Sequence, residues 1–483
     1  MGILSNLEPK SVFHFFEEIC SIPHGSGNVE QISDYLVKFA KERNLFYVQD
    51  HVKNVIIVKE ATEGYEDQPP VILQGHMDMV AVKKPDCDID MMTEGLRLAV
   101  DGDKIYAQGT SLGGDDGIAV AYGLAFLDAA NLKHPRLEVV ITVDEEVGLE
   151  GAREIDLSML KANRMLNLDS EEEGIFLTSC AGGARVNCML PVKYKEVSGV
   201  AYEISVEGLL GGHSGAEIHK ERGNSNCLMG RILYFVANEL NLGIHGLSGG
   251  LADNAIPRRT TALVVVEEKD TELFERIVAN QGIQIAQELT SKDPGAKVVI
   301  KKLQAGSFSC VAGAEAVRCS AFLTALPNGV QAMSADMAGM VETSLNMGLL
   351  NLGEKELHVG FSVRSSVESA KNALIGKVVA ITTMAGGNNT VTGDYPGWKY
   401  RVDSPLREKM IAVYRNLYGT EPKVEGIHAG LECGILGSKI KDLDCVSLGP
   451  DMKDIHTTEE TLSISSTARV WEYLVKLLEE KDS

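Results

Sequence analysis

The chain has 483 residues, of which 44% are hydrophobic and 24% are charged, as is typical of a folded globular protein. Its 68 acidic and 46 basic side chains give a formal net charge of -22 at pH 7. This charge argues against binding to nucleic acid or to an anionic membrane surface. Solubility explains it most simply, although it also suits cationic or metal-bound ligands. The length is too great for one ordinary core, so we expect two domains.

The cysteine pattern and the first residues indicate a cytoplasmic protein. The nine cysteines are scattered, and no two are spaced as Cys-x-x-Cys, which favours reduced thiols. No apolar run is long enough to span a membrane. The segment Met1–Asn6 lacks the basic and apolar regions of a secretion signal, so we expect none.

The first part of the chain alternates between helical and strand patterns. In chain order, we predict helical residues at 11–40 with a break at 23–28 and a resumed period over 29–45, strands at 54–58 and 71–73, a helix at 117–130, and strands at 137–143 and 164–168. This alternation predicts an α/β sheet. Ligands of such sheets gather beyond the carboxyl ends of the strands.

From about residue 186 the pattern changes. We predict strands at 186–190, 202–206 and 261–266, a helix at 271–289, a strand at 320–326, a helix at 333–345 and a strand at 356–366; after a polar break at 386–390 follow a helix at 406–418, a strand at 445–448 and a helix at 467–478. We therefore expect a catalytic α/β domain, formed by residues 1–185 and 390–483, that is interrupted by an inserted domain at 186–389.

A run of polar residues with metal-binding chemistry begins at the end of strand 71–73. His76 and Asp78 are two residues apart, so on extended backbone they point the same way. Carboxylates follow other apolar or glycine-rich segments, and one late histidine lies in a predicted loop; these are Asp115, Glu145, Glu146, Asp169 and His456. One histidine, one bridging aspartate, two acids and a second histidine form a ligand set for two divalent ions. Glu145 then remains as a general base.

Each of these patterns also has a purely structural interpretation. The glycine-rich segment 111–117 around Asp115 is also suited to a turn that caps the next helix. The acidic segment 144–146 is also suited to a solvated turn. Because this segment directly follows a strongly apolar strand, as the acidic run at 169–173 also does, we favour a metal site.

Further candidates lie later in the chain. His213, in the segment Gly-Gly-His-Ser-Gly, is suited to stabilise an oxyanion, and Asn254 and Arg364 are suited to bind peptide oxygens or a carboxylate. The glycine-bounded segment 428–434 has a possible role in binding a substrate carboxylate. Taken alone, each of these residues is more often structural, as a turn histidine, a turn asparagine or a surface arginine.

Together these segments resemble the M20 family of co-catalytic zinc peptidases, and within it the aminoacyl-histidine dipeptidase group. The similarity runs nearly end to end, and its motifs stand in the expected order at 21–27, 74–78, 112–117, 144–148, 167–169, 211–215, 254–258 and 428–434.

The resemblance implies a role for each residue. One Zn²⁺ would be bound by His76, Asp115 and Asp169, and the other by Asp115, Glu146 and His456. Asp78 would orient His76, and Glu145 would move the proton. The implied substrate-binding residues are His213, Asn254, Arg364, His428, Gly430 and Glu432. A cis peptide is expected after Asp115. The family often has Asp-Asn where this chain has Asp115-Asp116, so the second acid is expected to change local charge and metal preference.

The resemblance also implies the fold and the activity. The fold would be a zinc-peptidase α/β domain with a mixed sheet and helices, plus an inserted α+β lid or dimerisation domain. The activity would be hydrolysis of unblocked dipeptides, including Xaa-His, by a cytoplasmic homodimer that uses two Zn²⁺ ions, which Mn²⁺ or Co²⁺ can replace. The alternatives are an M20 amidohydrolase that deacylates N-acyl amino acids and a binding protein without catalytic activity.

Overall fold

The computed structural model describes residues 2–482. The chain forms two compact units. The first consists of the residues up to Ser179, of Tyr400–Gly426 and of the residues from Leu431 onward, and the second consists of Cys180–Lys399 and Ile427–Gly430. The first unit is therefore assembled from segments that are far apart in the chain.

Helices occur in both units. They are α1 (Lys10–Cys20), α2 (Glu30–Glu42), α3 (Gly114–Asp128), α4 (Glu150–Glu154), α5 (Ser225–Glu239), α6 (Thr271–Glu288), α7 (Ala314–Ala325), α8 (Glu368–Met384), α9 (Pro405–Tyr418), α10 (Glu432–Lys439) and α11 (Ile464–Glu479). Among residues 2–482, no helix has both the length and the apolar character needed to cross a bilayer.

Strands occur in both units as well. They are β1 (Phe46–Gln49), β2 (Val55–Lys59), β3 (Val71–His76), β4 (Leu98–Asp101), β5 (Lys104–Ala107), β6 (Leu137–Thr142), β7 (Arg164–Asn167), β8 (Ile175–Cys180), β9 (Gly182–Pro191), β10 (Tyr194–Glu207), β11 (Gly212–His213), β12 (Leu242–Gly249), β13 (Ala255–Ile256), β14 (Thr260–Val266), β15 (Lys297–Ala312), β16 (Gly329–Met333), β17 (Val341–Leu352), β18 (Glu356–Ser365), β19 (Asn388–Tyr395), β20 (Lys423–Ile427), β21 (Asp444–Ser447), β22 (Met452–Lys453) and β23 (Thr461–Ser463).

The main sheet of the first unit has the strand order β1-β2-β6-β3-β7-β21-β8-β20. Its centre, β6-β3-β7-β21, is parallel; β2 and β8 join this centre antiparallel, and β1 pairs antiparallel with β2. A small second sheet has the order β22-β23-β5-β4. The mixed main sheet with its connecting helices confirms the predicted α/β class.

The core of the first unit lies between this sheet and its helices. Fully buried residues of α1 and α3, such as Phe16 and Tyr122, belong to the same cluster as Leu73 of β3. Each such side chain contributes roughly 1.5–3 kcal/mol when it is removed from water. Helix α3 packs closely on the sheet at Gly123, where a Cβ would lie 2.9 Å from a methyl group of Val139.

The second unit contains a sheet with the order β14-β10-β15-β12-β17-β18-β9-β19, and β16 pairs with β17. The registered pairs of this sheet are antiparallel. Buried residues from helices α5 to α8, for example Leu233 and Phe322, form a core with the sheet residues Tyr202 and Phe361. This unit therefore has a core of its own.

Most predicted elements of the first unit are confirmed, but two in the second are wrong. Residues 320–326 belong largely to α7 and not to a strand; Cys319, Phe322 and Leu323 are buried with helical spacing. Residues 333–345 are not a helix, because they contain the end of β16, a turn at Gly339 with φ of 80°, and the start of β17. Other elements of the second unit were not predicted, among them helices α5 and α8 and strands β12, β15 and β19.

Candidate active site

The candidate residues of the first unit gather where parallel strands end. His76 is the last residue of β3, Glu145 and Glu146 follow β6, and Asp169 follows β7. Strand β3 pairs in parallel with both β6 and β7. The carboxyl ends of the three strands therefore meet at one edge of the sheet, as expected for a ligand site in such a sheet.

Asp115 lies between the two histidines. Its Oδ1 atom is 3.1 Å from His76 Nε2, and its Oδ2 atom is 3.0 Å from His456 Nε2. The Asp115 carboxylate is buried, and the two histidines hold its pKa well below the usual range. A carboxylate whose two oxygens face different histidines has the geometry required to bridge two cations.

Other carboxylates complete the cluster. Asp169 Oδ1 lies 3.8 Å from His76 Nε2, and Glu146 Oε1 lies 2.8 Å from His456 Nε2. Three groups of side chains each place their potential metal-ligand atoms within 4.8 Å of one another. The groups are Asp115 with Glu146 and His456, His76 with Asp116 and Asp169, and His76 with Glu145 and Glu146.

The chemistry of these donors fits divalent metal ions. Asp116 Oδ1 is buried without a hydrogen-bond donor. Several buried carboxylates face only two imidazoles, so their mutual repulsion is costly unless cations compensate it. Mixed imidazole and carboxylate ligands are those that Zn²⁺ accepts. The residues therefore fit a metal centre.

Asp78 organises the backbone around His76. The His76 Nδ1 atom donates to the Asp78 backbone carbonyl at 2.9 Å and lies 3.5 Å from the Asp78 carboxylate. That carboxylate also accepts hydrogen bonds from Ser26 Oγ at 2.8 Å and from the N–H groups of Glu145 and Glu146 at 3.1 and 3.4 Å. Asp78 thus holds His76 through its backbone carbonyl and the acidic segment after β6 through its side chain.

Glu145 has the electrostatic environment of a proton acceptor. Burial raises the pKa of its carboxyl group to about 8, and the carboxylates of Glu432, Glu146 and Asp115 add to the rise while His76 opposes it. A pKa near the working pH is suited to general acid-base transfer.

The peptide between Asp115 and Asp116 is cis, as the resemblance implied. Asp116 is completely buried, and its Oδ2 accepts the His76 N–H at 3.2 Å. Burial raises the pKa of Asp116 well above its usual range, which favours the neutral acid. A neutral aspartic acid has nearly the shape of the asparagine that the family often has here.

Glu432, which the resemblance implies is a substrate-binding residue, lies in the interior of the first unit. It is fully buried, and its Oε2 accepts hydrogen bonds from Gln74 Nε2 at 2.5 Å and Thr142 Oγ1 at 2.7 Å. Burial raises its pKa to about 7. Gln74 Oε1 in turn accepts from Asn167 Nδ2 at 2.6 Å. This network connects α10 with the ends of β3, β6 and β7.

In the second unit, His213 and Asn254 lie on neighbouring segments. Strand β11 pairs with β13, and the Ser214 N–H donates to the Asn254 carbonyl at 2.8 Å. The two residues line an open groove of about 1010 Å³ with Arg258 among its walls. Burial lowers the pKa of His213, and the positive charge of Arg364 lowers it further.

His428 and Arg364 also belong to this unit. His428 Nε2 lies 2.7 Å from Ser344 Oγ, and burial, with the charge of Arg364 adding to it, lowers the His428 pKa to about 3. Arg364 Nη1 donates to the Tyr395 hydroxyl at 3.3 Å. At Gly430 a Cβ would lie 2.9 Å from the Tyr395 ring, so the ring requires glycine there.

Some residues that organise the site were not identified from the sequence. Gln74, Tyr395 and Glu460 all act through contacts with residues distant in the chain. Of these three residues, only Gln74 could have been identified from the sequence, because it is an amide that follows three apolar residues in the buried strand β3. Such a group requires hydrogen-bond partners.

Comparison with known proteins gives the family. The profile of peptidase family M20/M25/M40 matches residues 72–480. A cytosol non-specific dipeptidase of Escherichia coli (strain K12) is 35% identical over 482 residues, which are 99% of each chain.

Solved structures agree. An aminoacylhistidine dipeptidase from Vibrio alginolyticus is 35% identical, with a TM-score of 0.95 and 99% of each chain covered. An aminopeptidase PepT from Bacillus cereus is similar in fold alone, with 15% identity, a TM-score of 0.56 and 98% of each chain covered. The chain belongs to peptidase family M20/M25/M40.

Proposed function

We propose that this protein is a two-metal dipeptidase that hydrolyses unblocked dipeptides, Xaa-His dipeptides among them. The observation that carries the proposal is Asp115, whose oxygens face His76 and His456 at 3.1 and 3.0 Å. The two relatives at 35% identity, a cytosol non-specific dipeptidase and an aminoacylhistidine dipeptidase, support the substrate class.

Two ligand sets share Asp115 in this proposal. The first contains His76, Asp115 and Asp169, and the second contains Asp115, Glu146 and His456. Zn²⁺ is the proposed ion, with Mn²⁺ or Co²⁺ as substitutes, because the sets combine imidazole nitrogen with carboxylate oxygen. Bound divalent ions would lower the pKa of water and polarise the scissile carbonyl.

Glu145 is assigned the proton transfers. As a carboxylate it removes a proton from the attacking water, and as the acid it delivers that proton to the departing amine. Its backbone is held by Asp78 at 3.1 Å, so Asp78 orients both the base and His76. Glu432, which is fully buried, is assigned a positioning role through Gln74 and Thr142 in place of direct substrate contact.

Residues of the second unit are assigned to substrate recognition. Arg364 and the neutral His428 are suited to the substrate's C-terminal carboxylate, since guanidinium binds carboxylates strongly. Asn254 and His213 are suited to peptide oxygens, and His213 to a developing oxyanion. Gly430 leaves space for the ring of Tyr395.

Assembly and location are further parts of the proposal. The inserted unit is assigned a lid and dimerisation role in a homodimer, and the protein is assigned to the cytoplasm, which agrees with the cysteine pattern and with the name of the Escherichia coli relative. Size-exclusion chromatography with light scattering should give twice the mass of 52.2 kDa. A monomer at micromolar concentration would contradict this assembly.

The activity is tested on metal-stripped protein with Zn²⁺, Mn²⁺ or Co²⁺ added singly. The panel contains alanyl-histidine, carnosine, a tripeptide and N-acetyl-histidine. We expect metal-dependent cleavage of the dipeptides, and the result with carnosine shows whether β-alanyl substrates fit. Cleavage of only the acetylated compound would identify an amidohydrolase, and no turnover with any ion would favour a binding protein.

A further inference from the structure

Glu460 has an unusual set of partners. Its carboxylate accepts hydrogen bonds from four consecutive backbone N–H groups: Oε2 from Leu112 at 2.8 Å and Gly113 at 3.1 Å, and Oε1 from Gly114 at 2.8 Å and Asp115 at 3.4 Å. Glu460 itself is only 3% exposed. The backbone of the turn that leads into Asp115 thus surrounds one buried carboxylate.

The turn needs this acceptor because its N–H groups are not bonded within a regular helix: Asp115 and Asp116, at the start of α3, have non-helical φ and ψ angles. The first N–H groups of a helix have no partner within the helix. The residue before α3 is Gly113, which has a φ of 69° and no side chain able to cap. Glu460 supplies the acceptor oxygens from a distant part of the chain.

The approach of Glu460 also depends on the glycines of the turn. At Gly114 a Cβ would lie 3.3 Å from Glu460 Oε1 and 3.2 Å from Met452 Sδ. Both atoms belong to the segment around His456. The absence of a side chain at Gly114 therefore brings this segment and the turn into direct contact.

The same residue closes the loop that carries His456. The Glu460 N–H donates to the Thr457 carbonyl at 3.3 Å, and Thr457 Oγ1 donates to the Asp454 carbonyl at 2.6 Å. His456 has a φ of 62° within this loop. Glu460 therefore connects the loop of His456 to the turn of Asp115, two residues whose side chains are 3.0 Å apart.

We propose that Glu460 is a positioning residue that fixes the Asp115 carboxylate in the orientation in which its oxygens diverge toward His76 and His456. Only a carboxylate offers two acceptor oxygens to four N–H groups. A glutamine would turn an NH₂ group toward two of them. Without these hydrogen bonds the turn could move, and Asp115 would rotate away from His456. The geometry needed to bridge two cations would then be lost.

This inference rests on the metal-binding part of the proposed function, and its test keeps the two apart. Zn²⁺ affinity is measured on metal-free protein by competition with a chromophoric chelator, together with the melting temperature of the metal-free form. The variants are Glu460→Gln and the shorter Glu460→Asp. The control is Glu459→Gln, at the adjacent residue, whose exposed side chain pairs with Lys84 at 2.7 Å.

We expect both Glu460 variants to bind Zn²⁺ about 10–100-fold more weakly than the wild type, as is typical when a partner of a metal ligand is lost, and Glu459→Gln to bind normally. A purely structural Glu460 would lower the melting temperature but leave the Zn²⁺ affinity of the folded variants unchanged, and this result would overturn the inference. If Glu460→Gln does not fold, Glu460→Asp decides. A wild-type protein that binds no Zn²⁺ would instead refute the proposed metal site.

Discussion

The backbone N–H of Glu145 donates to the Asp78 carboxylate at 3.1 Å. The same carboxylate lies 3.5 Å from His76 Nδ1. A change at Asp78 therefore disturbs the proposed base and a proposed metal ligand together. The effects of Asp78 and Glu145 variants should consequently be non-additive, because the two residues act as one unit.

Replacing Glu145 with Gln should remove turnover while metal remains bound. The amide cannot accept the proton, so we expect kcat for alanyl-histidine to fall about 10²–10⁴-fold. Kinetics and elemental analysis of the same preparation check this prediction. Glu150→Gln, at an exposed position of α4, is the matched control, and wild-type turnover by Glu145→Gln would exclude the assigned mechanism.

Replacing Asp115 with Asn should remove metal from both sites. One amide oxygen and one NH₂ group cannot bind two cations, so we expect a loss of affinity at least as large as the roughly 10–100-fold seen for partners of metal ligands. Equilibrium dialysis followed by metal analysis measures it. Asp88→Asn removes an exposed carboxylate paired with Arg97 at 2.6 Å and should retain the full metal content. Unchanged binding by Asp115→Asn would rule out a bridging carboxylate.

Replacing Arg364 with Met should remove recognition of the substrate carboxylate. A hydrogen bond to a charged group contributes about 1.5–3 kcal/mol, so kcat/KM for alanyl-histidine should fall about 10–100-fold. The same variant should cleave alanyl-histidine amide as well as the wild type does. Arg276→Met, exposed on α6, is the control. An equal loss on both substrates would assign Arg364 a structural role.

Replacing His428 with Gln should reduce the acid sensitivity of folding. The folded pKa of His428 is about 3, below its usual value of 6.5. The unfolded chain therefore takes up the proton first, and stability is lost as pH falls from 6.5 toward 3. Between pH 7 and pH 5 this linkage amounts to about 2 kcal/mol.

Urea unfolding of the wild type and of His428→Gln at the two pH values tests the linkage. The variant should lose less stability than the wild type between pH 7 and pH 5. Ser344, which pairs with His428 at 2.7 Å, can still bond to the glutamine amide. Equal pH dependence of the two proteins would show that His428 takes up a proton in the folded state.

The first-unit site could be predicted because its signals are local. His76, Glu145 and Asp169 each follow an apolar run, and the parallel pairing of the runs brings their ends together. His456 was different, because it lies in an irregular loop with a positive φ, and the sequence offered it only as a late histidine in a predicted loop. Glu460 had no local signal, since its partners are more than 340 residues away in the chain.

The second unit was predicted less well because its elements depend on tertiary contacts. Residues 320–326 contain apolar residues that suit a strand or a helix, and packing in the core selects α7. Residues 333–345 show apolar spacing compatible with a helix, yet the turn at Gly339 and pairing of β17 with β18 select strands. Short apolar runs are ambiguous in this way.

The close packing at Gly75 limits how this enzyme can be redesigned. A Cβ at Gly75 would lie 2.5 Å from Asp116 Oδ2 and 2.6 Å from the Ala119 side chain, so β3 and α3 touch without a side chain between them. Mutant libraries aimed at the residues behind His76 and Asp115 should consist mostly of inactive clones. Laboratory evolution of a new substrate range should start from the groove around His213 and Asn254, where sequence change leaves this packing intact.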